Sequence, residues 1–196
     1  MTTPTLDRLQ RHMAVAPAVS ADVADWSREA KRFWAWDPGR SLLASIRAWQ
    51  AVRGSTRPDR RARRWLATLR HRFWSVLCGA DIPLACDIEG GLLLPHPNGI
   101  VIHPDACIGP NCLIFQQVTL GIGGPLDGAP RLAGHVDVGA GAKLLGGVVV
   151  GAHARIGANA VLLANVPAGA TAVGIPAHVV SAAHGAAAAD GDDARG

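Results

Sequence analysis

The sequence predicts an α+β protein in which a helical N-terminal region precedes a parallel β-helix. Aliphatic residues recur at every sixth position from Ile102 to Leu162, and no α-helix keeps one face with that period. All six tryptophans lie before Gly79. Residues 1–80 hold 15 lysines and arginines against 6 acids, whereas residues 81–196 hold 4 against 9. Two architectures therefore meet near Gly79 in a chain of 196 residues, a length that suits one domain with a small appendage.

The six-residue repeat fits a three-sided β-helix because each flat side takes one hexapeptide. Its aliphatic residue points inward, and a small residue lets the chain turn the corner. We therefore expect the interior to be filled by one row of residues from each side. These are Ile102, Ile108, Ile114, Leu120, Leu126, Leu132, Val138, Leu144, Val150, Ile156 and Leu162.

An earlier series, Ile82, Ile88 and Leu94, keeps the same spacing but is two residues out of step with the later one. An insertion therefore lies between Leu94 and Ile100, where a histidine stands between two prolines. Coils that depart from a regular solenoid commonly do so to form a site. His96 is the resulting candidate, and the alternative is a solvated loop histidine.

Residues 1–78 are predicted to be helical. Apolar spacing predicts one helix over 41–52, capped by Asp37 or Ser41, and a second over 59–77. The second helix has an apolar stripe formed by Trp65, Leu66, Leu69, Phe73, Val76 and Leu77. Arginines occupy its other side. They could meet a nucleic acid, an anionic membrane or an acidic partner, but we favour a solvated face and expect no nucleic-acid partner.

Residues 79–180 are assigned to the β-helix, with one projecting loop over 121–134. Four glycines within eight residues, together with two prolines, predict the loop, although Leu126 and Leu132 stay in phase with the repeat. Residues 181–196 are mostly alanine, glycine and aspartate and are expected to be disordered.

The composition favours a cytoplasmic protein. We find no apolar run long enough to cross a bilayer and no signal peptide in the sequence. The four cysteines form no C-x-x-C pair and are expected to be reduced and buried. The histidines are not clustered, so no metal site is expected, and His103, His135 and His153 are read as surface residues.

Five ordered motifs across about residues 81–180 resemble the serine O-acetyltransferases of the hexapeptide-repeat acyltransferase superfamily. A Trp36-Asp37-Pro38 step before the helices is also similar to this family. The motifs are Asp81-Ile82-Pro83, His96-x-x-Gly99-Ile100-Val101-Ile102, Gln117-Val118-Thr119-Leu120-Gly121, Val138-Gly139-Ala140-Gly141-Ala142-Lys143-Leu144-Leu145-Gly146 and Val173-Gly174-Ile175-Pro176-Ala177.

The resemblance implies a left-handed parallel β-helix that assembles as a homotrimer. It also implies acetyl-CoA as co-substrate, bound in clefts between neighbouring prisms, and no permanently bound cofactor. His96 would be the general base, for which a neutral imidazole is well suited near neutral pH. Asp81 matches the acid that pairs with this histidine in the family and would fix its tautomer. The spacing of these two residues does not by itself establish contact.

For the donor side, backbone N–H groups around Gly121 and Gly123 are candidates for stabilising the oxyanion beside the thioester. By resemblance, Ala140 is a candidate contact for the pantetheine and Arg155 for a phosphate. Lys143 is a further possibility, with a purely structural role of equal weight. Cys107 and Cys112 fit the repeat as filler residues, so direct transfer is preferred over a covalent intermediate.

The acceptor side departs from the family. By resemblance, Asp37 would receive the serine ammonium. Pro95 stands where the family has an aspartate, and Gly128-Ala129 stands where it has an Arg-His step that holds the acceptor's carboxylate. Arg131 is a candidate for the missing positive charge. The C-terminal residues lack the isoleucine that inserts into cysteine synthase in long members, so no such complex is expected.

Three functions remain open from the sequence. The first is acetylation of the L-serine hydroxyl in cysteine biosynthesis. The second is O-acetylation of a sugar or exopolysaccharide intermediate. The third is a solenoid that only binds a partner, which the presence of Asp81 and His96 disfavours.

Overall fold

A computed structural model describes residues 19–32 and 34–181 of the chain. The predicted C-terminal tail lies, from residue 182 onward, outside the described residues, as do residues 1–18 of the predicted helical region. Ser181 itself ends a strand.

The described part of the N-terminal region contains a short 3₁₀ helix, Trp26–Glu29, and two α-helices, α1 (Pro38–Gln50) and α2 (Pro58–Cys78). Asp37 rather than Ser41 caps α1, since its side chain accepts a hydrogen bond from the Arg40 backbone N–H at 2.9 Å. The helix buries Leu42, Leu43 and Ile46. No helix in the described ranges is both long and apolar enough to cross a membrane.

Helix α2 turns its apolar stripe outward. Trp65 and Val76 are 67% and 84% exposed, and the other stripe residues are exposed as well. The residues that α2 buries are instead the small Ala67 and Cys78. An apolar helical stripe usually packs on a core. Here the small side of the helix allows close packing on α1, and the stripe lies on the surface of the single chain.

Within the described residues, thirteen strands form three sheets, and the chain passes from one sheet to the next in turn. Sheet I has the order β1-β3-β6-β9, sheet II β4-β7-β10-β12-β13, and sheet III β2-β5-β8-β11. Pairing is parallel except between β12 and β13, which are antiparallel. The strands are β1 (Asp87–Ile88), β2 (Val101–Ile102), β3 (Cys107–Ile108), β4 (Leu113–Ile114), β5 (Thr119–Gly121), β6 (Arg131–Leu132), β7 (Asp137–Val138), β8 (Lys143–Leu145), β9 (Val149–Val150), β10 (Arg155–Ile156), β11 (Val161–Leu162), β12 (Thr171–Gly174) and β13 (Ala177–Ser181).

The register shows where extra residues enter the coils. Regular coils repeat every 18 residues, as in the pairing of Val101 with Thr119. In the first coil, Asp81 pairs with Val101 and Leu93 with Leu113, a repeat of 20. The two added residues lie in the turn 94–100, which confirms the insertion predicted from the phase shift.

A second insertion occupies residues 122–130, between β5 and β6. Cys107 pairs with Arg131 and Thr119 with Lys143, so these coils repeat every 24 residues. Six added residues equal one repeat and leave the sequence phase unchanged. Leu126 is therefore in phase only by coincidence: it is 38% exposed, whereas Leu120 is fully buried. The loop predicted in this region is present.

The repeat residues other than Leu126 form the core between the three sheets, and none is more than 4% exposed. Four places after five of them, a small residue completes the packing; Ala106, Cys112, Ala142, Ala154 and Ala160 are fully buried. The prediction that the aliphatic row fills the interior is confirmed for these positions.

We predict that replacing Leu120 with alanine lowers the free energy of unfolding by about 2 to 5 kcal/mol, because it leaves a cavity in the core. The matched change Leu126→Ala should cost about 0.5 kcal/mol or less, since Leu126 lies on an exposed loop. Urea denaturation of both variants measures the difference. Equal costs at the two positions would contradict the placement of Leu126 outside the core.

Candidate active site

The turn that carries His96 is held by the ends of both helices. At the start of α1, a Cβ on Gly39 would lie 2.5 Å from the Leu94 carbonyl oxygen, so glycine is needed for this close approach. At the end of α2, Gly79 adopts φ +62° and its carbonyl accepts a hydrogen bond from the Gly99 N–H at 2.7 Å. Sequence neighbours of Asp37 and of His96 are thereby brought together.

Between these elements lies a pocket of about 660 Å³. Its walls are the start of α1, the last turn of α2 and the turn 93–98. Asp37, Arg40 and His96 all line it. Two of the predicted site residues, Asp37 and His96, therefore share one pocket. Arg40 and Asn98 also line it and were not predicted from the sequence, because their position depends on how α1 meets the first coil. Trp36, noted in the sequence only as part of the Trp36-Asp37-Pro38 step, lines it too.

Asp37 and Arg40 form an ion pair at the pocket wall. The Arg40 Nη1 atom lies 3.5 Å from Asp37 Oδ2, while Asp37 Oδ1 accepts the backbone N–H of Arg40. The two side chains are 39% and 33% exposed, in the order Arg40 and Asp37. Opposite charges thus stand side by side in the pocket that His96 lines.

Asp81 heads sheet III, beside the point where the His96 turn enters β2. Its backbone pairs with Val101, and its N–H donates to the Ile100 carbonyl at 2.8 Å. In the described part of the chain, no hydrogen bond joins the Asp81 carboxylate to the His96 ring. The predicted pair of these two residues stays a prediction.

His71 of α2 is a further histidine near Asp81 that sequence reasoning did not place. Its Nε2 lies 2.9 Å from the Ile82 carbonyl oxygen. Burial lowers the pKa of His71, partly offset by that carbonyl and by the negative charge of Asp81. Helical periodicity alone cannot show which side chain of α2 meets the first coil.

The edge between sheets II and III continues downward from the His96 turn. Backbone hydrogen bonds stack its corners: Gln117 N–H donates to the Asn98 carbonyl at 2.9 Å, and Asn159 N–H to the Ala140 carbonyl at 2.8 Å. Gly141 N–H links the intermediate corners by donating to the Gln116 carbonyl. Ala140 therefore lies two coils below the turn that holds the candidate base, on the same edge.

Three other candidate donor-binding residues lie on sheet III or directly after one of its strands. Gly121 ends β5, where it pairs with Leu145, and Gly123 follows in the loop. Lys143 begins β8, and its Nζ donates to the Gln117 carbonyl oxygen. Ala140 lies three residues before β8 begins, at the corner that leads into the same sheet.

The remaining two candidates lie on other sheets of the same chain. Arg155 is on sheet II, 72% exposed, with its Nε 3.9 Å from Asp137 Oδ2. Arg131 is on sheet I, with its Nη1 3.6 Å from the Cys107 sulfur. A single chain therefore does not bring Arg131 to the pocket of Asp37 and His96.

All four cysteines are free, and Cys78, Cys86 and Cys112 are buried, as expected. The expectation of burial is wrong for Cys107, which is half-buried. Burial raises the pKa of Cys86 to about 12 and that of Cys112 to about 11. Burial also raises the pKa of Cys78, which lines the pocket. Only the thiolate is a good nucleophile, so these thiols are unreactive near neutral pH.

His135 and His153 face each other across consecutive coils, with their Nδ1 atoms 2.8 Å apart. Both have positive φ at equivalent corners, 18 residues apart. The sequence shows them as separate surface residues. Within residues 19–32 and 34–181, no group of three or more histidine, cysteine, aspartate or glutamate side chains is placed to hold a metal ion.

Comparison with known proteins yields a consistent set of relatives. No family model matches the chain. The serine acetyltransferase of Synechococcus elongatus is 44% identical over 65 residues, which make up 32% of this chain and 27% of the relative. A solved serine acetyltransferase in complex with cysteine is 34% identical with a TM-score of 0.62 and covers 89% of this chain and 66% of its own. The chain belongs to the serine acetyltransferase family.

Two further structures of the family carry other ligands. A serine acetyltransferase in complex with CoA is 36% identical with a TM-score of 0.62, covering 74% of this chain and 58% of its own. A soybean serine acetyltransferase complexed with serine is 34% identical with a TM-score of 0.57, covering 72% and 55%. The present chain thus spans between a quarter and two thirds of the length of these family members.

We predict that only Cys107 reacts quickly with a thiol-specific disulfide reagent in the folded protein at pH 8. It is half-buried, whereas the other three thiols are buried and have raised pKa values. Absorbance at the released chromophore gives the number of fast thiols, and Cys107→Ser should abolish the fast phase. A fast phase that survives in this variant would contradict the burial of the other thiols.

Proposed function

We propose that the chain is an acetyl-CoA-dependent O-acetyltransferase that acetylates the hydroxyl of L-serine to O-acetylserine. Family membership supports this, as do related structures that hold CoA or serine. The observation that carries the proposal is the shared pocket, in which the imidazole of His96 and the carboxylate of Asp37 line one cavity. A base for the hydroxyl and an anion for the ammonium are the two groups that a serine acceptor needs.

The reaction is a direct transfer. His96 takes the proton of the serine hydroxyl as the hydroxyl oxygen attacks the thioester carbonyl. The tetrahedral intermediate collapses, the carbon–sulfur bond breaks, and the proton passes from the imidazolium to the departing CoA sulfur. Backbone N–H groups at Gly121 and Gly123 are the proposed donors to the oxyanion. The raised pKa values of Cys86 and Cys112 disfavour a covalent acetyl-cysteine step.

Asp81 is the proposed partner of His96. A carboxylate at the second ring nitrogen would hold the tautomer that leaves the reacting nitrogen free to accept a proton. Asp81 heads sheet III next to the strand into which the His96 turn leads. Closure of the pair requires a change in the His96 turn, which is solvent-exposed and contains the two added residues.

Acetyl-CoA is a co-substrate, not a resident cofactor, in this proposal. It would run along the edge between sheets II and III, with the pantetheine near Ala140 and basic groups from Lys143 and Arg155 near the phosphates. A left-handed β-helix over 79–180 and a homotrimer belong to the same proposal. In a trimer, a neighbouring prism would form the second wall of this open edge, so residues on another sheet of the neighbour, such as Arg131, would face it.

Cytoplasmic location and the lack of a complex with cysteine synthase stay predictions. Four free thiols are consistent with a reducing compartment.

O-acetylation of a sugar is the second candidate. It is favoured by Trp36, which lines the pocket and is 75% exposed, because an exposed aromatic face can stack on a sugar ring. The altered acceptor motif at Pro95 and Gly128-Ala129 points the same way.

Purified protein with acetyl-CoA should release free thiol when L-serine is added, at a rate that saturates with serine. The measurement is the absorbance of a thiol reagent, with mass spectrometry of O-acetylserine as confirmation. Glycan acceptors, tested in parallel, should give background rates. Thiol release with a sugar but not with L-serine would reject serine in favour of the second candidate.

We predict that His96→Gln lowers kcat by about 10²- to 10⁴-fold, the usual contribution of a general base, while CoA binding is retained. His178→Gln is the matched control, because His178 is an exposed histidine on β13, remote in the chain from the pocket. Calorimetry with CoA checks that the His96 variant is folded. A kcat within twofold of wild type would remove His96 from the mechanism.

Asp81→Asn should lower kcat with little effect on the KM for L-serine, since the carboxylate acts through His96 and not on the acceptor. The loss should be smaller than that of His96→Gln, and the double variant should be no worse than His96→Gln alone. Asp87→Asn, at the equivalent exposed position on sheet I, is the control. Additive losses in the double variant would show that the two residues act separately.

A further inference from the structure

The proposed serine acceptor carries a carboxylate for which the sequence offers no clear partner. The Arg-His step of the family is replaced by Gly128-Ala129, and Ala129 is 7% exposed on the inward side of its loop. Arg131, the nearest positive charge in sequence, lies on sheet I with its guanidinium against the Cys107 sulfur. Within one chain, a carboxylate in the pocket of His96 therefore needs a cation other than Arg131.

Arg40 is a positively charged side chain that the fold places in this pocket. It lies in the first turn of α1, lines the same pocket as Asp37 and His96, and is held there by the Gly39 approach to Leu94. Among the described residues that line the pocket, it alone carries a permanent positive charge. We propose that Arg40 binds the α-carboxylate of the acceptor, and so makes the pocket selective for an amino acid over a neutral hydroxyl compound. This inference rests on the proposed function.

The charge arrangement matches a zwitterion. Arg40 Nη1 and Asp37 Oδ2 stand 3.5 Å apart and are both partly solvent-accessible, so one positive and one negative group are presented side by side. An α-amino acid carries its ammonium and carboxylate on one carbon, and the two can dock on such a pair at once. The planar guanidinium suits a carboxylate because it can donate two parallel N–H bonds.

The ion pair can be exchanged for contacts to an acceptor without loss of the α1 cap. Asp37 and Arg40 neutralise each other in the pair, and Asp37 accepts a second bond from the Arg40 backbone N–H. Binding of a zwitterion replaces one ion pair by two. The cap of α1 need not break in the exchange, because the backbone bond uses Asp37 Oδ1 while the guanidinium faces Oδ2.

A neutral sugar could form hydrogen bonds with Asp37 and Arg40, but it would offer neither side chain an opposite charge. Its recognition would depend more on stacking against Trp36. The Asp37–Arg40 pair, which lies in the wall of the proposed acceptor pocket, therefore favours an amino acid as the acceptor.

The test compares L-serine with L-serinamide, which keeps the ammonium and the hydroxyl but lacks the carboxylate. Wild type, Arg40→Gln and the control Arg53→Gln, an exposed arginine just beyond the end of α1, are assayed by thiol release. Loss of a charge-assisted bidentate contact should raise the KM for L-serine about 10- to 100-fold in Arg40→Gln. The KM for acetyl-CoA and the kcat/KM for L-serinamide should stay within twofold of wild type.

The outcomes distinguish a failure of the role of Arg40 from a failure of the proposed function. A KM for L-serine unchanged in Arg40→Gln, or losses of equal size for L-serine and L-serinamide, would overturn the role of Arg40 and leave the proposed function standing. Arg131→Gln would then be the variant expected to raise that KM. Wild-type protein that releases no thiol with L-serine would overturn the proposed function, and the assignment of Arg40 with it. Arg40→Lys keeps the charge but not the fork, and should recover part of the loss.

Discussion

The ladder of parallel hydrogen bonds between successive coils is the constraint on which the rest of the structure depends. Each coil must present its strands in register with the coil above and below, and each side of the prism has room for one inward aliphatic residue per coil. A coil with more than 18 residues cannot place the excess on a flat side. The additional residues must leave the coil at a corner between two sheets. The two places where this happens are the turn 94–100 and the loop 122–130.

Both departures belong to the candidate site. The two-residue insertion carries His96, and the six-residue insertion follows Gly121, a candidate contact for the donor. The two helices complete the candidate site at the two-residue insertion. Gly39 lets α1 begin against the backbone of Leu94, and the carbonyl of Gly79 binds Gly99, so the acceptor wall is fixed to the same turn as the proposed base. The three sheets support the candidate site, and the irregular segments carry its residues.

Much of this could be predicted from the sequence, because the aliphatic period reports directly on which residues enter the core. Ile102 and Leu120 are buried as predicted, and the phase shift before Ile100 located the first insertion. The second insertion was visible only through its glycines and prolines, since its length equals one repeat. Contacts between residues that are far apart in the sequence could not be predicted. The packing side of α2, the facing of His135 and His153, and the arrival of Arg40 beside His96 all depend on tertiary geometry that no local pattern encodes.

The loop at 122–130 adds six residues, the length of one repeat, and so leaves the phase of the sequence repeat unchanged. Because the strands on either side of it keep their partners, Thr119 with Lys143 and Arg131 with Val149, the loop does not change the register of the coils. It is still attached to the next coil, since the Gly147 N–H donates to the Leu126 carbonyl at 2.8 Å. Loops at such corners can change in length without shifting the strands that flank them. In a scaffold of this kind, the loops that select the substrate can therefore change while the aliphatic core residues stay the same.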